Sequence, residues 1–172
     1  MANPYIGTYG LAQGLAPQGS QVNNTGYFEA LTLPEQLLYN ATHRAVIKWG
    51  DLGWQQTANT DLALSIVNIP AGWAIEGIQT KLITPFVLAS GGNTSLSIGD
   101  IGNGATQFVT LITLTPGSVV VRIGTRLSGF TYYAAADVLT ATVGITGNGT
   151  LGTATQGEVH FYLRIVDGNA LD

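Results

Sequence analysis

Residues 158–166 read EVHFYLRIV, and the alternation in this stretch decides the fold. Val159, Phe161, Leu163 and Ile165 recur at every second position, with Glu158, His160, Tyr162 and Arg164 between them. Successive side chains of an extended strand point to opposite faces, so a period of two describes a strand with one buried and one outward face. The same pattern continues upstream. Residues 137–145, DVLTATVGI, set Leu139, Ala141, Val143 and Ile145 against Thr140 and Thr142. Residues 108–115 and 118–123 flank Pro116-Gly117, a turn dipeptide between β-branched runs. The short runs 86–89 and 94–98 are separated by Ser90-Gly91-Gly92-Asn93, which predicts a hairpin-like loop. Residues 73–83 form a longer run after a turn at 68–72, with Gly77 marking a bulge. Residues 62–69 place Leu62, Leu64, Ile66 and Asn68 on one face, and residues 44–49, RAVIKW, alternate once more.

About eight strands joined by turns containing Gly, Asn and Pro, with no long helical period, predict an all-β antiparallel β-sandwich, jelly-roll-like in architecture. Parallel βαβ units need helices that this sequence lacks, and no repeat of fixed length points to a propeller or solenoid.

Composition narrows the class. Only 9% of the 172 residues are charged while 45% are hydrophobic, and the mean hydropathy is +0.26, which is the reverse of a disordered chain. No apolar run approaches the roughly 18 residues of a membrane-spanning helix, and a membrane barrel should carry aromatic girdles, so no membrane partner is expected. The surface is then neutral and polar, and suited to contacts between subunits. With no cysteine, disulfide scaffolds, thiolate metal sites and cysteine nucleophiles are excluded. Six basic residues against ten acidic ones offer no basic stripe for phosphates, so no nucleic-acid partner is expected either. The opening MANPYIGTYG lacks the basic and apolar segments of a secretion signal, which predicts synthesis in a cytoplasm.

Residues 1–42 differ from the rest: Glu29 and Glu35 are their only charges, prolines stand at 4, 17 and 34, and no period persists. They read as an extended amino-terminal arm, with residues 43–172 forming the sandwich. Within the arm, Leu31–Tyr39 (LTLPEQLLY) predicts one helical turn after Pro34 with Thr32 near its cap, the plainer alternative being a linker or a strand on the sheet edge.

The search for chemistry returns little. The ionisable residues are spread along the chain: only Asp100 lies between Lys81 and Arg122, and only Asp137 between Arg126 and Glu158. A glycosidase would need two carboxylates about 5 to 10 Å apart, and nothing in the spacing supplies them. His43 and His160 are the only histidines and form no metal-ligand motif, so no metal, cofactor or catalytic residue is expected. His160 shares a polar row with Glu158 and Arg164; a solvated or intersubunit row is the plain reading, a pH-sensitive contact the sharper one. Residues 97–104, SIGDIGNG, read as a tight turn rather than a calcium loop. Residues 144–157 carry no charge and read as a long exposed loop. Trp49 and Trp73 fall in strands, where core packing is the usual fate, whereas Trp54 is the better candidate for an exposed contact or a sugar-stacking platform.

Residues 132–145 (YYAAADVLTATVGI) and 157–167 (GEVHFYLRIVD), joined by a Gly- and Thr-rich loop, resemble a carboxy-terminal pattern of structural proteins from tailed-bacteriophage heads. Residues 81–100 (KLITPFVLASGGNTSLSIGD) are similar in style. The resemblance implies a capsid decoration, or cement, protein: a β-sandwich on the virion capsid surface that ties neighbouring major capsid proteins together, with packing motifs rather than catalytic ones, and self-assembly as a homotrimer is the expectation that goes with it. For such a role the candidate capsid or subunit contacts are Tyr5, Tyr9, Tyr27 and Phe28 of the arm, Trp54, and the outward His160 and Arg164. An arm of about 42 residues reaches at most roughly 140 to 150 Å, enough to clamp an adjoining capsomer. A head-fibre, tail-associated or carbohydrate-binding module is the alternative reading, and a hydrolase the third.

Overall fold

The structure, a computed structural model, describes residues 28–100, 104–114, 123–125 and 131–168. Among them the chain is almost entirely strand: β1 (Phe28–Ala30), β2 (His43–Lys48), β3 (Leu62–Ile69), β4 (Trp73–Leu88), β5 (Asn93–Asp100), β6 (Gly104–Thr113), β7 (Ile123–Thr125), β8 (Thr131–Tyr132), β9 (Asp137–Thr146) and β10 (Ala154–Asp167). One helix, α1 (Leu33–Tyr39), and two short 3₁₀ turns, Trp49–Trp54 and Leu151–Thr153, complete the described elements. No helix among the described residues is long and apolar enough to cross a membrane.

Two antiparallel sheets result. The first runs β1-β2-β10-β4-β7, with β8 also paired to β4, and the second runs β3-β9-β5-β6. The pairing is nested: β5 with β6, β4 with β7, β3 with β9 and β2 with β10. A long antiparallel hairpin rolled so that successive pairs alternate between two sheets produces this order, which is a jelly roll. The core lies between the sheets. Ile47, Phe86, Val159, Phe161 and Leu163 of the first sheet meet Leu64, Ile66, Leu96, Ile98, Phe108, Leu139 and Val143 of the second, all buried.

The alternation in β10 and β9 holds as read: Val159, Phe161, Leu163 and Ile165 are buried, as are Leu139, Ala141 and Val143, with Ile145 packed at the margin. The bulge at Gly77 is present, as a register shift between Arg164 and Ile165 of β10 against β4. Elsewhere the structure corrects the expectations. Asn68 does not share a face with Leu64 and Ile66, because a register shift between Ser65 and Val67 reverses the alternation and turns Val67 and Ile69 inward. Residues 86–88 belong to β4, and the following Ser90–Asn93 connection is not a hairpin, because β4 and β5 lie in different sheets. Residues 144–157 are not a long exposed loop. Gly144–Thr146 finish β9, Leu151 is fully buried in its 3₁₀ turn, and β10 begins at Ala154. Gly149 packs so close to the Gly91 carbonyl that no side chain fits between the two loops. The turn at Pro116-Gly117 lies outside the described residues.

The part of the arm that is described is folded onto the sandwich rather than extended. β1 extends the first sheet through Phe28↔Ala45, Glu29↔Arg44 and Ala30↔His43. The helix expected after Pro34 is α1, and Thr32 precedes it as its N-cap residue. Residues 1–27 lie outside the described residues.

Candidate interaction surface

The segment from Leu31 to Thr42 forms a strap across the outer face of the first sheet. Its ends are tied to each other by the Leu31 N–H, which donates to the Thr42 carbonyl at 3.0 Å. Leu31 and Ala41 pack on Tyr162 of β10, and the three form a buried cluster separate from the main core. Tyr162 therefore points outward as its alternation requires, yet it is only 4% exposed because the strap covers it.

Thr42 sews the strap to β10. Its N–H donates to the Leu163 carbonyl at 2.8 Å, and its hydroxyl accepts the Ile165 N–H at 3.0 Å while lying 2.7 Å from His43 Nδ1. Thr42→Val keeps the shape but leaves the part-buried Ile165 N–H without that acceptor, so a loss of about 1 to 2 kcal/mol is expected. A urea midpoint unchanged by this substitution would show that the strap is not held there.

Inside the strap, the Thr32 N–H and hydroxyl donate to the Glu35 carboxylate at 3.0 and 2.7 Å, the reciprocal half of a capping box. The hydroxyl bond first, then the backbone bond, hold the Glu35 carboxyl below its ordinary value, and Arg44, whose guanidinium lies 3.8 Å away, adds a smaller push in the same direction. The helix ends on Asn40 in the left-handed region (φ 49°), where asparagine is tolerated because its short amide bonds locally. The Asn40 Oδ1 accepts from Arg164 at 2.6 Å, and Arg164 Nε is also paired with Glu76 of β4.

This arrangement gathers what the sequence spreads. Opposite residues of paired strands share a face, so Lys48↔Glu158, His160↔Lys81 and Arg44↔Tyr162 bring their side chains together. With Arg164 added, four of the six basic residues of the chain stand on this face, beside Glu35, Glu76 and Glu158. The charges are dispersed along the sequence but concentrated in space, a correction of the reading from spacing alone. Most of their partners come from strands about 80 to 120 residues away in the chain, which is why linear spacing hides them.

His160 Nε2 lies 2.6 Å from Glu158 Oε1, and its ring meets Tyr162 edge-on with centroids 6.2 Å apart. His160 is half-buried and Arg164 exposed, so the polar row predicted from alternation exists, with Tyr162 inside it covered by the strap. Among the other predicted contacts, Tyr5, Tyr9 and Tyr27 lie outside the described residues. Phe28 opens β1, and Trp54 closes the first 3₁₀ turn. Trp73 sits in β4 against the core as expected, but Trp49 does not: it opens the 3₁₀ turn after β2 and is half exposed.

Reading the sequence missed the outward side of α1. Leu33, Leu37 and Leu38 are 57%, 85% and 67% exposed, while Glu35 and Gln36 are the residues that face the protein, Gln36 Nε2 donating to the Leu31 carbonyl at 2.8 Å. Leu33 and Leu37, four residues apart, share one side of the helix, and Leu38 widens it. Which way that face turns depends on the strap, and no local pattern encodes it.

Fold and surface together define a jelly-roll β-sandwich whose first sheet carries a helical strap with its leucines turned out. No protein-family model matches the chain, and no curated protein matches it. Among solved structures, a chain of the cyanophage Pam1 capsid asymmetric unit shares the fold with a TM-score of 0.50 and 15% identity, over 88% of this chain and 92% of that one.

Proposed function

We propose that this chain is a structural protein of a phage virion that decorates the outside of the capsid and cements neighbouring major capsid proteins. The observation that carries the reading is the extent of the shared fold. The jelly roll overlaps nearly the whole of a chain found in a phage capsid asymmetric unit, so the common part is the entire module rather than one substructure. The composition supports it, because a surface with 9% charged residues suits contact with other subunits: few ions must be desolvated when it is covered. In this reading the chain acts by binding, not by catalysis, and copies assemble around a symmetry axis of the shell as a homotrimer, where linked weak contacts gain about 10² to 10⁴ in avidity.

The test is sedimentation of the purified protein with empty shells assembled from the major capsid protein of the same virus. Saturable binding at micromolar concentration is expected, together with a higher melting temperature of the shell. Protein that stays in the supernatant, or that instead binds a glycan array, overturns the reading.

A further inference from the structure

The leucine face of α1 is mounted the wrong way round for a helix that serves only its own domain. A surface helix normally turns its apolar stripe to the core and its polar residues to water. Here Glu35 and Gln36 are bonded to the protein, and Leu33, Leu37 and Leu38 are each more than half exposed. The strap is clipped at Thr42, at Asn40 through Arg164, and at the Leu31–Ala41–Tyr162 cluster, so the face is presented on a fixed support. A pre-formed support spares a partner the entropy of ordering it.

We propose that this face is the anchor that enters an apolar, uncharged recess of the capsid shell protein; the inference rests on the decoration role proposed above. Two features select that occupant over a second copy of the chain. The face holds no charged side chain, so its complement is an apolar recess without unpaired charge. Three leucines also supply only a fraction of the roughly 800 Å² per partner that a stable two-body interface needs. A contact this small is useful when a repeating lattice offers many identical recesses at once, and insufficient to hold two free copies together.

Leu37→Asp and the double variant Leu33→Ser/Leu38→Ser test the proposal in the full chain, with mass in solution and melting temperature measured beside binding to empty shells of the major capsid protein. Because all three side chains are exposed, both variants are expected to fold as the parent does. The expected result is at least a tenfold loss in apparent affinity for shells with mass and melting temperature unchanged. If the parent binds shells and the variants bind equally well, the anchor is overturned while the decoration role stands. A change in solution mass would mean that the leucines join copies of the chain, which also overturns the anchor. A parent that fails to bind shells removes the decoration role itself.

Discussion

Gly157→Ala is expected to destabilise the protein by about 3 to 5 kcal/mol, lowering the melting temperature by roughly 10 °C. Gly157 has φ 145°, a backbone region that side chains rarely enter, and it lies within a stretch, Ala154 to Val159, where β10 shifts register three times against β4. A Cβ placed there would overlap Cδ1 and Cγ of the Phe86 ring, which is 1% exposed and packed in the main core. The strain of the conformation and the overpacking of the core each cost about 1 to 3 kcal/mol, and here they act together. The pair Gly157→Ala/Phe86→Leu separates them, since shortening the ring relieves the overlap and not the backbone. The double variant should therefore cost less than the sum of the single ones. A loss below about 1 kcal/mol for Gly157→Ala, or strict additivity with Phe86→Leu, would contradict this account of the bulge.

A second large effect is expected in acid. Burial lowers the His43 pKa from 6.5 to about 4. His43 is 7% exposed and stands between Ala30 of β1 and Leu163 of β10, beneath the point where Thr42 sews down the strap. Above pH 6.5 the ring is neutral in both the folded and unfolded chain, and stability does not depend on it. Between pH 6.5 and about 4 the unfolded chain takes up a proton that the folded one refuses, so stability falls as pH falls, by about 3 kcal/mol in all. Below about pH 4 both states are protonated and the dependence ends. Buried Asp51 opposes this, because burial raises its pKa and the folded chain then takes up that proton more readily than the unfolded one. Urea midpoints at pH 7, 5.5 and 4 measure the balance. His43→Gln should be less stable at pH 7 and should lose most of the slope, and a slope that survives the substitution would assign the acid response elsewhere.

Much of the sandwich could be read before any coordinates, and the reasons for the failures are physical. Period-two runs reveal a half-buried face, so residues 137–143 of β9 and 158–166 of β10 were legible residue by residue. Bulges are not legible in the same way, since an extra residue such as Ile66 leaves each flanking run intact and only changes which face it presents. Turn residues at 90–93 announce a change of direction without saying which sheet receives the next strand. The contact surface was legible only in part. His160 and Arg164 follow from alternation in one strand, whereas the pairing of Arg164 with Glu76 and Asn40 and the outward turn of Leu33, Leu37 and Leu38 depend on elements that meet only after the sheet forms.

The nested pairing has a temporal corollary. Thr42 and Leu163, which bond to each other, are 121 residues apart in the chain, and β10 occupies the middle of its sheet between β2 and β4. Ribosomes add about 5 to 20 residues per second, so β2 emerges roughly ten seconds before the strand that must lie beside it. Non-local pairing of this kind is also slow once the chain is free. During that interval the apolar sides of β2 and β4 have no neighbour between them, and unpaired edges of this kind are open to association with other chains until β10 arrives.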